Sequence, residues 1–146
     1  APRLDVRPNI AVPDADTLKA LLSHRFQAMT DYQRNVLKPA LRDEAQVAGQ
    51  KLRALLPRRL RKGLVDDGRW LKPEAREHLE QWVAQRPRIG ALVAHRRRLA
   101  QLLEARSHDA AERLRQLQAW CHEAEASGIA ALQAYSQRLK GYALAH

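Results

Sequence analysis

A chain of 146 residues with a formal net charge of +10, one cysteine and only 5% aromatic residues has room for one modest core. A lone cysteine rules out an internal disulfide and points to a reducing compartment. No run approaches the eighteen or so apolar residues that a membrane span needs, and no signal peptide is recognisable.

The abundance of Ala, Leu, Arg, Gln and Glu favours packed helices, and no strand-like alternation or internal repeat interrupts that pattern. The fold class expected is all-α: an elongated helical bundle, or antiparallel coiled-coil-like hairpins, with proline kinks. Charge is unevenly spread. Through Val65 there are 13 basic and 6 acidic residues, from Asp66 to Arg106 9 and 6, and from Ser107 onward 4 and 4. The surplus therefore lies in the first two-thirds, where it would attract nucleic acid, an anionic lipid leaflet or an acidic protein.

Residues 1–13, with Pro2, Pro8 and Pro13 and no apolar period, read as a linker, and 14–146 as one helical domain. Asp14 or Asp16 can cap a first helix. Leu18, Leu22, Met29 and Val36, with Phe26 and Leu37 beside them, make one face of it apolar. Pro39 predicts a kink rather than an end, with helix resuming from Ala40 to about Leu56. A short basic helical piece from Arg58 to Leu64 precedes the turn Asp66-Asp67-Gly68.

Pro73 fits the first turn of a further helix, which carries Leu79, Trp82, Ile89, Val93, Leu99 and Leu103 and is expected to bend at Pro87. Ser107 can cap the next. There Ala110, Leu114, Leu117, Cys121 and Ala124 recur at heptad steps, up to a break at Ser127-Gly128. Ile129, Leu132, Tyr135, Leu139 and Tyr142 form the last stripe.

Catalytic and metal motifs are absent from the pattern. Of the six histidines none forms His-x-x-His, His-x-x-x-His or Glu-x-x-His, the spacings that put two ligands on one helical face. No Cys-x-x-Cys offers a zinc site. Glu123 and Glu125 point to different helical faces, so His122-Glu123-x-Glu125 reads as helix surface with nearby bases. Cys121 falls on the apolar stripe and reads as a small buried hydrophobe. No catalytic residue, metal ligand or cofactor is expected within this chain.

One segment does suggest contact with a partner. Lys51, Arg53, Arg58, Arg59, Arg61 and Lys62 occur with no acid between Glu44 and Asp66, interleaved with Leu52, Leu55, Leu56, Leu60 and Leu64. Such a basic amphipathic stretch can lie on an anionic membrane surface, and Arg96, Arg97 and Arg98 could extend the patch. The alternative is a solvated basic face whose leucines join the core. Nucleic acid is the weaker partner. No aromatic residue lies between Lys51 and Gly68 to stack a base, and Asp66-Asp67 would meet phosphates.

Several motifs carry a family resemblance. Trp120-Cys-His-Glu-Ala-Glu-Ala-Ser-Gly-Ile129 with Tyr142, preceded by Arg25-Phe26-Gln27-Ala28-Met29 and Tyr32 and by Asp16-Thr17-Leu18, resembles the C-terminal region of bacterial membrane-bound fatty acid desaturases of the delta-9 acyl-CoA type. The likeness runs from Ala1-Pro2 almost to His146, loosely between Asp66 and Val93. It implies a parent enzyme that uses oxygen and a di-iron centre to place a cis double bond in a saturated acyl chain. None of that family's histidine boxes maps onto this sequence. The start at Ala rather than Met suits an excised fragment, with residues 1–13 leading from a membrane-embedded catalytic domain.

The resemblance therefore implies a non-catalytic domain on the cytoplasmic face of the inner membrane. Its partners would be its own catalytic domain, the anionic leaflet, acyl-CoA or a redox protein. Two alternatives remain open. One is a helical segment of an insertion-sequence transposase, similar over about thirty residues near the end. The other is a helical module that binds an acidic protein.

Overall fold

The computed structural model describes residues 12–104 and 109–145, and among them the chain is all-α, without strands. Helix α1 (Ala15–Ser23) begins where Asp14 accepts a hydrogen bond from the Thr17 amide at 2.9 Å. That bond pairs one of the amides a helix start leaves open, and it lowers the Asp14 pKa. Pro13 is already buried, and its carbonyl accepts from Gln118 Nε2 at 3.0 Å. Packing thus begins one residue inside the expected linker, of which residues 1–11 lie outside the described part.

The first apolar stripe is not one continuous helix. His24 leaves helical geometry (φ −123°, ψ 31°), and α2 (Arg25–Tyr32) starts afresh behind it. The break resets the phase of the stripe. Leu18, Ala28, Tyr32, Val36 and Leu37 are buried, whereas Phe26, expected beside the stripe, is 85% exposed. At Pro39 the chain stays helical, as expected. The irregularity is a π-helical turn, Gln33–Leu37, leading into α3 (Lys38–Ala48), with Pro39 in its first turn.

The helix then ends at Ala48 rather than near Leu56. Gly49 takes a left-handed conformation (φ 65°), and Lys51 is extended. One further turn, α4 (Leu52–Leu55), stops because Leu56 before Pro57 is extended. Helix α5 (Arg58–Val65) matches the expected basic piece and ends at the Asp66–Gly68 turn, where Gly68 has φ 68°.

Pro73 starts α6 (Pro73–Ala84), as expected. Pro87 does more than bend that helix. Lacking an amide hydrogen it cannot continue the ladder, the Arg86 amide closes onto the Val83 carbonyl at 2.9 Å, and a separate helix α7 (Pro87–Glu104) begins. Ser107 lies outside the described residues. Asp109 caps α8 (Ala110–Ala126), accepting from the Ala111 and Glu112 amides. After Ser127 and Gly128 come α9 (Ala130–Lys140) and the short α10 (Tyr142–Ala145).

The helices form one bundle around an aromatic centre. Helices α8 and α9 make an antiparallel hairpin; α7 lies along α8, α9 packs on the π turn, α2 on α7, and α10 returns to α1. Tyr32, Trp120 and Tyr135 meet edge to face, with centroids 5.0 Å apart for the tyrosine pair and 5.9 Å for Trp120–Tyr135. Their polar tips are all satisfied by backbone carbonyls. Tyr32 Oη donates to Leu92 at 2.5 Å, Tyr135 Oη to Ala28 at 2.7 Å and Trp120 Nε1 to His95 at 2.7 Å. Each bond ties two distant segments together. Leu21, Leu37, Leu41, Leu56, Ile89, Leu92, Leu99, Leu103, Leu117 and Leu132 fill the rest.

Candidate functional site

The end of the chain that carries the Trp120–Ile129 run serves packing. On α8, Leu117, Trp120, Cys121 and Ala124 are buried, Leu114 is half-buried and Ala110 is exposed, so the heptad stripe holds from its second member on. Burial pushes the Cys121 thiol up to about 11, which keeps it protonated and unreactive near neutral pH. His122 is exposed. Glu123 pairs with Arg98 on α7, and Glu125 turns the other way, into the α8–α9 hairpin. There its carboxylate accepts from Ser136 Oγ at 2.7 Å, Gln137 Nε2 at 2.9 Å and Lys140 Nζ at 2.9 Å.

Burial alone would raise the Glu125 pKa, but the bonds from Ser136 and Lys140, with the lysine's charge, outweigh it and hold the group below its ordinary value. Ser127 Oγ accepts from the Ile129 amide at 3.1 Å and donates to the Ala124 carbonyl at 2.6 Å, while Gly128 supplies φ 74°. The Glu-Ala-Ser-Gly-Ile run is thus a complete hairpin device: clamp, serine-bonded corner, left-handed glycine and helix restart.

The basic segment is built differently. Lys51, Arg53, Arg58, Arg59 and Lys62 are exposed, and none pairs with a carboxylate among the described residues. Arg61 is half-buried and donates from Nε to the Leu56 carbonyl at 2.9 Å, so it holds the α4–α5 corner. Four of the five leucines between these bases pack toward the core, and Leu55 is half-buried without joining it. Leu56 and Leu64 are buried, and Leu52 and Leu60 pack partly against the core. Most of the apolar face of this segment is therefore spent on the fold, and the basic face is left to solvent.

The second cluster does not simply extend the first. Arg98 is engaged by Glu123, while Arg96 and Arg97 line a groove of about 500 Å³ between the Asp66–Leu71 turn, α6 and α7. Leu64, Leu71 and Val93 contribute apolar lining there, and Glu80 and Glu104 bring opposing charge. Burial pulls the Arg96 pKa down, and Asp66 and Asp67 partly offset it. Of the nine candidate bases, Lys51, Arg53, Arg58, Arg59 and Lys62 are the exposed, unpaired ones of the first segment, and Arg97 stands apart from them on the groove.

One participant was not expected from the sequence. Trp70, just beyond the aromatic-free window, folds back over α5. Arg59 Cζ lies 5.5 Å and Lys62 Nζ 5.8 Å from its ring centroid. Trp70 Nε1 donates to Asp66 Oδ2 at 2.8 Å, and Asp66 Oδ1 accepts from the Gly68 amide at 2.7 Å. The only sequence signal was the turn itself, since Asp66-Asp67-Gly68 reverses the chain and brings residue 70 alongside residues 59 and 62.

Among the described residues no group of three or more His, Cys, Asp or Glu is placed to hold a metal ion. No described helix is long and apolar enough to cross a membrane. Comparison with protein-family models, with curated proteins and with solved structures found no match.

Proposed function

We propose that this chain is a non-catalytic helical domain of a membrane-bound fatty acid desaturase, and that it docks against the anionic cytoplasmic face of the inner membrane. The observation that carries the docking is the uncompensated row of Lys51 just before α4, Arg53 on α4, and Arg58, Arg59 and Lys62 on α5. Each engaged base near an anionic leaflet is worth about 1 kcal/mol, screened by salt. Because four of the five leucines of the segment pack on the core, contact is electrostatic and superficial, without insertion of an apolar helix face.

The desaturase assignment rests on the ordered motifs from Asp16 through Tyr142. In that reading the di-iron chemistry belongs to a membrane-embedded segment upstream, and the present residues supply packing and surface charge. The codons upstream of Ala1 test the assignment. Apolar spans interrupted by His-x-x-His-His boxes are expected, whereas a soluble Asp/Asp/Glu nuclease core would replace it with the transposase reading.

A further inference from the structure

We infer that the exposed surface of Trp70, with Arg59 and Lys62 beside it, is a site for a single nucleotide, whose base stacks on the indole and whose phosphates rest on the two cations. The inference rests on the basic segment being an anion-binding surface, but not on the membrane assignment.

A purely anionic partner such as a lipid headgroup or free phosphate would use the bases and leave the ring idle. Yet the ring is held in place. Asp66 Oδ2 takes its Nε1–H at 2.8 Å, and Asp66 is itself tied to the Gly68 amide at 2.7 Å. Trp70 nevertheless remains 43% exposed, so aromatic surface is open. A large aromatic that is orientated before any ligand arrives and left partly exposed lowers the ordering cost of stacking.

The charges suit the same ligand. Arg59 and Lys62 are one helical turn apart on α5, both exposed, both against the ring and neither paired with an acid among the described residues. The nearby acids are engaged: Asp66 by Trp70 and Gly68, and Asp67 by Arg69 at 3.5 Å. With one aromatic in the patch, the platform holds one base rather than a strand.

The test titrates the full chain at low salt with ADP, pyrophosphate and adenosine, read by calorimetry. ADP is expected to bind about tenfold more tightly than pyrophosphate, the gain of one stacked base, with adenosine weak. Trp70→Leu should bring ADP down to the pyrophosphate level without changing pyrophosphate, Trp70→Phe should keep part of the gap, and Arg59→Glu with Lys62→Glu should weaken both phosphate ligands. Thermal melting confirms that each variant is folded. Equal affinities for ADP and pyrophosphate would overturn the nucleotide site while leaving the anion surface standing. Loss of pyrophosphate binding in Trp70→Leu would reduce the ring to a prop for the bases and also overturn it. No binding of either phosphate ligand would remove both.

Discussion

Lys140 is 3% exposed, and its Nζ donates to the Glu125 carboxylate at 2.9 Å. Glu125→Gln keeps the shape but replaces the charged acceptor shared by Ser136, Gln137 and Lys140 with a neutral one, and we expect a loss of about 2 kcal/mol at pH 7 by urea unfolding. The pH dependence follows from the depressed folded pKa. The Glu125 contribution is complete above the unfolded value of 4.5 and is lost as pH falls through the lower folded value. Glu125→Gln should therefore flatten the acid limb of the stability curve, and an unchanged limb would show that the clamp is not formed. Gly128 tests the corner beside it. An added methyl group meets nothing within 4 Å, so Gly128→Ala isolates the cost of φ 74°, about 1 kcal/mol, while Gly141→Ala at φ −96° should be neutral. The buried Cys121 and the separate facing of Glu123 and Glu125 were legible from helical spacing. Lys140 as a buried partner was not, because its burial depends on how α9 closes on α8.

At the scale of elements, start signals were more legible than stops. Asp14, Pro73 and the Ser127-Gly128 corner act locally, through a hydrogen-bonding side chain, a missing amide or a left-handed backbone, and so show in sequence. The break at His24 has no such mark, and it moved Phe26 from the expected stripe to the surface. Pro87 was legible as a disturbance, but whether a proline bends a helix or starts a new one depends on what packs around it. The α5–α6 corner depends on close approach. A β-carbon on Gly63 would lie 2.4 Å from Leu71 Cδ1, in a buried place. Gly63→Ala should therefore destabilise by about 1 kcal/mol despite its better helix propensity, and the cost should shrink in a Leu71→Ala background. Denaturant melts of the four-member cycle measure this. Additive losses would mean that the two residues do not meet.

For the whole molecule the division of labour follows the charge map. The tail from Ser107 onward carries 4 basic and 4 acidic residues and supplies the hairpin and much of the aromatic centre, whereas the surplus before Val65 ends on an open basic face. The sequence alone could locate that surplus but could not divide it. It could not show that Arg61 braces a corner, that Arg98 is paired, that Arg96 and Arg97 line a separate groove, or that Trp70 joins the bases. All four depend on tertiary placement. The docking claim is tested most directly by co-sedimentation of the full chain with vesicles, anionic against neutral, over a salt series and with duplex DNA as competitor. Binding is expected to anionic vesicles only, falling steeply with salt, surviving the competitor, and lost when Arg58, Arg59 and Lys62 become Glu with the melting temperature unchanged. Equal binding to neutral vesicles, indifference to salt, retention of binding by the triple variant, or displacement by the duplex at matched charge would contradict it.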